Sequence, residues 1–155
     1  MTRSSADYAA LLLRVSMGVM FLAHGLLLKV FTFGPAGTAA YFESIGYPAA
    51  LAYAVILAEI VGGAMLIAGV HVRIVALALV PVLIGATLQH LPAGWVFSAQ
   101  GGGWEFPAFW TVALLVQALL GAGAHAAVGG GKPERRRAHP TRPEERHRKT
   151  FPPEG

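Results

Sequence analysis

A single acidic residue, Glu59, interrupts the apolar stretch at residues 49–70, and it is the residue there best suited to chemistry. At about 1.5 Å rise per residue, Glu59 would lie roughly 15 Å from either end of a helix, near the middle of a bilayer. A carboxylate at that depth costs roughly 2.5–3.5 kcal/mol, so it normally faces protein and has a partner. Gly62 and Gly63 would let a second helix approach closely at this level.

The candidate partners of Glu59 come from the other apolar stretches of the chain. His24 and Lys29 lie towards the end of the first stretch, and His90 closes the third. In an antiparallel bundle these groups would gather in one half of the bundle, together with the carboxylate that precedes the fourth stretch. The candidate ligand-binding residues are therefore His24, Lys29, Glu59, His90 and Glu105. Among them, His24 and Glu59 are the predicted catalytic pair.

Imidazole and carboxylate groups beneath aromatic side chains suit a quinone headgroup. A histidine or lysine can hydrogen-bond a quinone carbonyl, and a carboxylate can relay the protons that accompany reduction. Apolar helix faces would hold an isoprenoid tail. The sequence thus yields the hypothesis of a quinone site centred on His24 and Glu59.

Other uses of the same residues stay open at this stage. His24 and His90 come from different stretches at similar depth, which would allow bis-histidine ligation of a haem. A metal ion on Glu59 and these two histidines is weakly supported, because no tight ligand spacing is present, and we predict no metal site. Intramembrane ionisable residues also mark ion or proton pathways.

A purely structural interpretation competes with these chemistries. Arg14, Glu59 and Arg73 would then form buried ion pairs that fix the register of the helices. Glu105 would cap the fourth helix, and His90 would bond a loop carbonyl. In that case the protein is a non-catalytic membrane anchor or an assembly subunit for a soluble redox enzyme.

The distribution of apolar residues indicates an integral membrane protein. Apolar residues make up 55% of the chain and charged residues 13%, and the apolar residues fall in long blocks. The absence of cysteine excludes disulfides and thiolate chemistry. We predict an all-α protein whose residues 1–128 form an antiparallel bundle of four transmembrane helices. These helices are expected near residues 8–30, 49–70, 74–91 and 106–128, with Pro81 kinking the third.

The remaining residues, 129–155, are predicted to form a disordered basic tail. Residues 132–155 contain eight Lys and Arg against four Glu, whereas the rest of the chain carries four charges of each sign. This pattern favours contact with anionic lipid over nucleic acid. With an even number of spans, the positive-inside rule places both termini in the cytoplasm.

Several short motifs recur in a familiar order along residues 11–123. They are Arg14, His24-Gly25 and Lys29, then Phe42-Glu43 and Gly46, then Glu59 with Gly62-Gly63, Gly69 and Arg73, and finally His90 and the Gly-Gly-Trp-Glu-Phe-Pro segment at residues 102–107. In these motifs the chain resembles the DoxX family of small four-helix bacterial membrane proteins.

The resemblance implies an inner-membrane subunit associated with a redox complex. Some members of the family are subunits of a thiosulfate:quinone oxidoreductase, and others accompany membrane redox or oxidative-stress complexes. The expected partners are the lipid bilayer and a soluble or membrane redox protein, with a homo-oligomer left open and no nucleic acid expected. The expected cofactor is a quinone.

Overall fold

The computed structural model describes residues 4–128, and within that range the chain is entirely helices and loops. The predicted tail at residues 129–155 lies outside the described part. The helices are α1 Ser5–Leu22, which continues as a π-helical segment over Ala23–Thr32, then α2 Pro35–Ser44, α3 Ala49–Ala68, α4 Val72–His90 and α5 Glu105–Leu120.

Three of these helical segments are long and apolar enough to cross a membrane. They are Ser5–Thr32, Ala49–Ala68 and Val72–Ala93, which extends α4 by one short turn. The fourth, α5, is apolar but has only 16 residues. The prediction of an all-α membrane protein built from four apolar helices is therefore confirmed.

Local sequence explains where the helices begin and end. The first helix starts before the predicted residue 8 because Ser4 and Asp7 form a capping box: the Ser4 hydroxyl accepts the Asp7 backbone N–H, and the Asp7 carboxylate accepts that of Ser4. α2 begins at Pro35, whose fixed φ suits the first helical turn. α3 ends at Gly69, whose φ of 73° closes the helix in the left-handed conformation.

The fourth helix ends at Leu120 and does not extend to the predicted boundary at residue 128. Gly121 and Gly123 have φ values of 80° and 64° and turn the chain out of the helix. Residues 121–128 then run back across one end of the bundle. The backbone N–H of Ala124 donates to the carbonyl of Asp7, and that of Ala127 donates to Ala68.

The core is formed by two closely packed helix pairs, α1 with α3 and α4 with α5. Glycine allows the first pair to approach, since a Cβ added at Gly63 would lie 2.8 Å from the carbonyl oxygen of Gly18. Large apolar side chains join the pairs: Phe21, Leu66, Leu79 and Leu114 are almost completely buried. α2 packs on α3 and on the π-helical segment, and this leaves a space bounded by α2, α3, α4 and α5.

Candidate functional site

The centre of the candidate site is an ion pair between Lys29 and Glu59. The Lys29 Nζ lies 2.8 Å from Oε1 and 2.7 Å from Oε2 of Glu59, so the ammonium group donates to both carboxylate oxygens. The side chains are 19% and 6% exposed. The structure thus pairs Glu59 with the lysine of the first helix and not with an arginine.

The π-helical winding of Ala23–Thr32 places Lys29 beside Glu59. The backbone N–H of Phe33 donates to the carbonyl of Leu28, five residues earlier, which is the π-helical spacing. Gly25 allows the segment to lie directly on α3, because a Cβ there would be 2.8 Å from the Glu59 Cβ. The Thr38 hydroxyl of α2 donates to the carbonyl of Lys29 at 3.1 Å, which fixes the segment from its other side.

His24 lies beside the ion pair. Its Nδ1 is 2.9 Å from the carbonyl oxygen of Met20, one turn earlier in the same helix. Its ring is packed against the indole of Trp110, with 5.1 Å between ring centroids. The ring borders the same space as Lys29 and Glu59. An imidazole, an amine and a carboxylate are therefore assembled at one level of the bundle.

These groups face a cavity of about 410 Å³ between α2, α3, α4 and α5. Four of the five predicted ligand-binding residues line it: His24, Lys29, Glu59 and His90. Most of the other lining side chains are apolar or aromatic, and they include Tyr41, Phe42, Tyr47, Phe106 and Trp110. An apolar cavity with a few convergent polar groups is the usual form of a small-molecule site.

Glu105 does not line this cavity. Its carboxylate accepts the backbone N–H of Phe97 at 2.9 Å and so holds the loop between α4 and α5 against the start of α5. His90 contacts both the cavity and the loop between α4 and α5. It lines the cavity, and its Nδ1 lies 3.0 Å from the carbonyl oxygen of Gly101. The predicted bond of His90 to a loop carbonyl is therefore present. Glu105 binds the loop N–H of Phe97 and does not cap the fourth helix as predicted.

The predicted ion pairs of Arg14 are wrong. Its guanidinium, 1% exposed, donates only to backbone carbonyls within the described residues. Its acceptors are Leu66, Ile67, Ala122, Ala124 and His125. The carbonyls at the end of α3 carry the negative end of the helix dipole, so they stabilise the cation without a carboxylate.

Arg73 also forms no ion pair within the part of the chain that the structure describes. It is exposed at the start of α4 and lies beside Gly121, where an added Cβ would be 3.0 Å from the Arg73 Nε. The buried pair that the sequence assigned to Arg14, Glu59 and Arg73 is therefore replaced by two separate arrangements. One is the carbonyl cluster around Arg14, and the other is the Lys29–Glu59 pair.

The metal alternative on His24, Glu59 and His90 is not supported by the geometry. No three histidine, aspartate or glutamate side chains within residues 4–128 come together in a way that could hold a metal ion. Haem ligation by the two histidines stays a prediction. Both rings line the cavity, and both use Nδ1 on a carbonyl, which leaves Nε2 as the available nitrogen.

Sequence reasoning missed the aromatic wall of the cavity. Tyr41 and Phe42 lie on the short helix α2, which packs on α3, and both line the cavity. Trp110 was not singled out, although it lies inside an apolar stretch and not at an interface, which is an unusual position for tryptophan in a membrane helix. Its rings contact Phe21, His24 and Phe106.

Helices of membrane-crossing length around an ion pair and an apolar cavity define a polytopic membrane protein with an internal polar centre. Comparison with known proteins gives its family: the chain belongs to the DoxX family, whose model matches residues 9–97. That range contains most of α1 and all of α2 to α4, and it excludes α5. The resemblance found in the motifs is confirmed.

One curated relative comes from Bacillus subtilis (strain 168) and is named "Putative oxidoreductase CatD". It is 39% identical over 84 residues, which are 54% of this chain and 60% of that protein. The chain thus spans less than two thirds of the length of this relative. No solved structure matches the chain.

Proposed function

We propose that this protein is a membrane subunit of a redox complex and that its cavity binds a quinone headgroup beside Lys29 and Glu59. The observation that carries the proposal is the charged pair itself, because it faces an apolar, aromatic-lined cavity together with His24. A volume of about 410 Å³ is within the usual range of ligand sites, ~300–1,000 Å³.

The three polar groups supply what quinone chemistry requires. An ammonium group has three N–H donors, and Lys29 uses two of them on Glu59, so one remains for a quinone carbonyl. Glu59 and His24 can accept or deliver the protons that follow electrons onto the ring. The apolar side chains of the lining suit the ring face and the beginning of an isoprenoid tail.

The electrons come from a partner in this proposal. The chain has no cysteine, so it has no thiol couple of its own. A relative named as an oxidoreductase supports a redox setting. We infer a soluble or membrane redox protein as the partner, and a bacterial inner-membrane location with both termini in the cytoplasm.

The second candidate function is a non-catalytic anchor or assembly subunit. One observation favours it, namely that the Lys29–Glu59 pair joins the π-helical segment to α3 and so also has a structural use. Breaking a buried pair is strongly destabilising, whereas replacing both members with apolar residues is often neutral. The two functions therefore differ in one respect. In a variant that still folds, loss of the Lys29 and Glu59 charges abolishes quinone binding only if the cavity is a quinone site.

Quinone binding by the purified full chain in lipid nanodiscs tests the proposal. We expect saturable binding of a short-tailed benzoquinone or naphthoquinone, measured by equilibrium dialysis. Glu59→Gln should weaken binding about tenfold or more, because Lys29 loses the carboxylate that orients its remaining N–H towards the quinone carbonyl. Glu105→Gln is the matched control, because it makes the same chemical change outside the cavity and should leave binding unchanged.

The double variant Lys29→Met/Glu59→Met separates binding from folding. Its thermal unfolding midpoint should stay close to that of the unaltered protein, and its quinone binding should be lost. Equal quinone affinity in Glu59→Gln, Glu105→Gln and the unaltered chain would contradict the proposal. A folded, unaltered protein that binds no quinone would instead support the anchor function.

A further inference from the structure

We propose that the cavity recognises its ligand in the hydroxyl form, a quinol, in preference to the quinone. This inference rests on the proposed function and specifies which redox form the same site holds more tightly. It starts from the two histidines of the cavity. The Nδ1 of His24 is 2.9 Å from the carbonyl oxygen of Met20, and the Nδ1 of His90 is 3.0 Å from that of Gly101.

These two contacts fix the tautomer of each ring. A carbonyl oxygen only accepts hydrogen bonds, so the Nδ1 atom that faces it must carry the hydrogen. A neutral imidazole has a single N–H, and Nε2 therefore presents a lone pair. Both rings line the cavity. We infer that their Nε2 atoms act as hydrogen-bond acceptors for a ligand bound there.

The groups of the cavity that can donate a hydrogen bond do not distinguish the two redox forms. A carbonyl oxygen and a hydroxyl oxygen can accept a hydrogen bond from the remaining N–H of Lys29 equally well. Tyr41, Tyr47 and Gln89 also line the cavity, and their side chains can donate or accept. The imidazole Nε2 atoms and the free lone pairs of the Glu59 carboxylate, in contrast, require a donor from the ligand. A quinol has two O–H donors, and a quinone has none.

The charge beside His24 strengthens this preference. When a quinol hydroxyl shares its proton with Nε2, positive charge develops on the imidazole ring. The Glu59 carboxylate lines the same cavity and would stabilise that developing charge. A quinone carbonyl placed against the same Nε2 would bring two acceptors together and gain nothing.

A ligand series with one ring and one tail tests the preference. The quinol, its dimethyl ether and the corresponding quinone are each titrated anaerobically into the full chain in nanodiscs. We expect the quinol to bind about tenfold more tightly than either of the others, the equivalent of one hydrogen bond to a buried acceptor. The ether keeps the shape of the quinol and removes only its O–H donors.

Two substitutions locate the effect at His24. His24→Asn retains an N–H for the Met20 carbonyl and removes the Nε2 position, so the ratio of quinol to quinone affinity should fall roughly threefold or more, with His90 as the remaining imidazole acceptor. His24→Gln places an amide near the Nε2 position and should restore part of the ratio. Glu105→Gln, outside the cavity, should leave the ratio unchanged.

The outcomes separate this inference from the proposed function. A quinone that binds as tightly as the quinol, or an ether that does so, overturns the inference while leaving quinone binding established. An unchanged ratio in His24→Asn also overturns it. If none of the three ligands binds, the proposed function is wrong, and this inference is wrong with it.

Discussion

Two buried ionisable side chains of this protein are stabilised in different ways. Glu59 has a side-chain partner, Lys29, whereas Arg14 is surrounded by backbone carbonyls from α3 and from residues 121–128. A guanidinium has five N–H donors in a fixed plane, and here they are distributed over five carbonyl oxygens. Arg14 therefore has no donor left for a ligand, and its role is to join the two segments to α1.

Arg14→Lys should destabilise the protein although it retains the charge. A lysine ammonium has three donors on a flexible stem, so at least two carbonyls would lose their partners. We expect a loss of roughly 2–4 kcal/mol in the free energy of unfolding, at about 1–3 kcal/mol for each buried polar group left unpaired. Thermal unfolding in detergent, followed by circular dichroism, measures the change.

Arg73→Lys is the control for that substitution. Arg73 is exposed and makes no ion pair within residues 4–128, so we expect its unfolding midpoint to stay near that of the unaltered protein. If the two variants unfolded at the same temperature, the carbonyl cluster around Arg14 would have no measurable effect on stability.

At the level of the helices, the contact between α1 and α3 depends on glycine. A Cβ added at Gly63 would lie 2.8 Å from the carbonyl oxygen of Gly18, and one added at Gly18 would lie 2.7 Å from that of Gly63. Both obstacles are backbone atoms, which cannot rotate away. The same contact sets the distance between the first helix and Glu59, so it also positions Lys29 against its partner.

Gly63→Ala should therefore separate α1 from α3, whereas Gly85→Ala should not disturb α4. The first substitution is expected to cost about 1–3 kcal/mol, the usual range for overpacking a core. An added Cβ at Gly85 meets no atom within 4 Å, so the helical preference of alanine should make that variant neutral or slightly more stable. The thermal unfolding midpoints of the two variants measure the difference. Equal midpoints would contradict the claim that the contact between α1 and α3 requires glycine.

The helices and most of the candidate site could be predicted from sequence, because both follow from the free-energy cost of placing unpaired polar groups in lipid. Long apolar stretches must form helices, and the polar residues inside them must face each other. That argument correctly brought His24, Lys29 and Glu59 to one cavity. It failed for Glu105, which lies at a helix start where loop geometry decides its contact with Phe97.

Other features depend on long-range contacts that no local pattern records. The stretch after Leu120 is rich in alanine and glycine and was predicted to continue the helix to residue 128. It leaves the helix, and its carbonyls become acceptors for Arg14, more than a hundred positions away in sequence. The π-helical winding of Ala23–Thr32 likewise has no sequence signature, although the Glu59 contact depends on it.

At the scale of the whole molecule, the two ends of the bundle differ in charge. The start of α1, the turn between α3 and α4, and residues 121–128 lie together, since Ala124 bonds Asp7 and Ala127 bonds Ala68. Arg73 is at this end. The opposite end has the loop at residues 91–104, which contains Trp95 and no Lys or Arg. A basic end and an aromatic end are typical of the cytoplasmic and external faces of a bacterial membrane protein.

Because the chain has no cysteine, single cysteines can test this orientation without background. Ser98 and Ser5 are both exposed, at opposite ends of the bundle. In bacterial spheroplasts, a membrane-impermeant maleimide should label Ser98→Cys and should label Ser5→Cys only after detergent is added. Full labelling of both variants in detergent shows that both thiols are accessible.

The reverse labelling pattern would place the basic end outside, contrary to the tendency of Lys and Arg to remain in the cytoplasm. It would also put the cavity residue His90, next to the loop at residues 91–104, on the cytoplasmic side, where a cytoplasmic redox partner could reach the site directly.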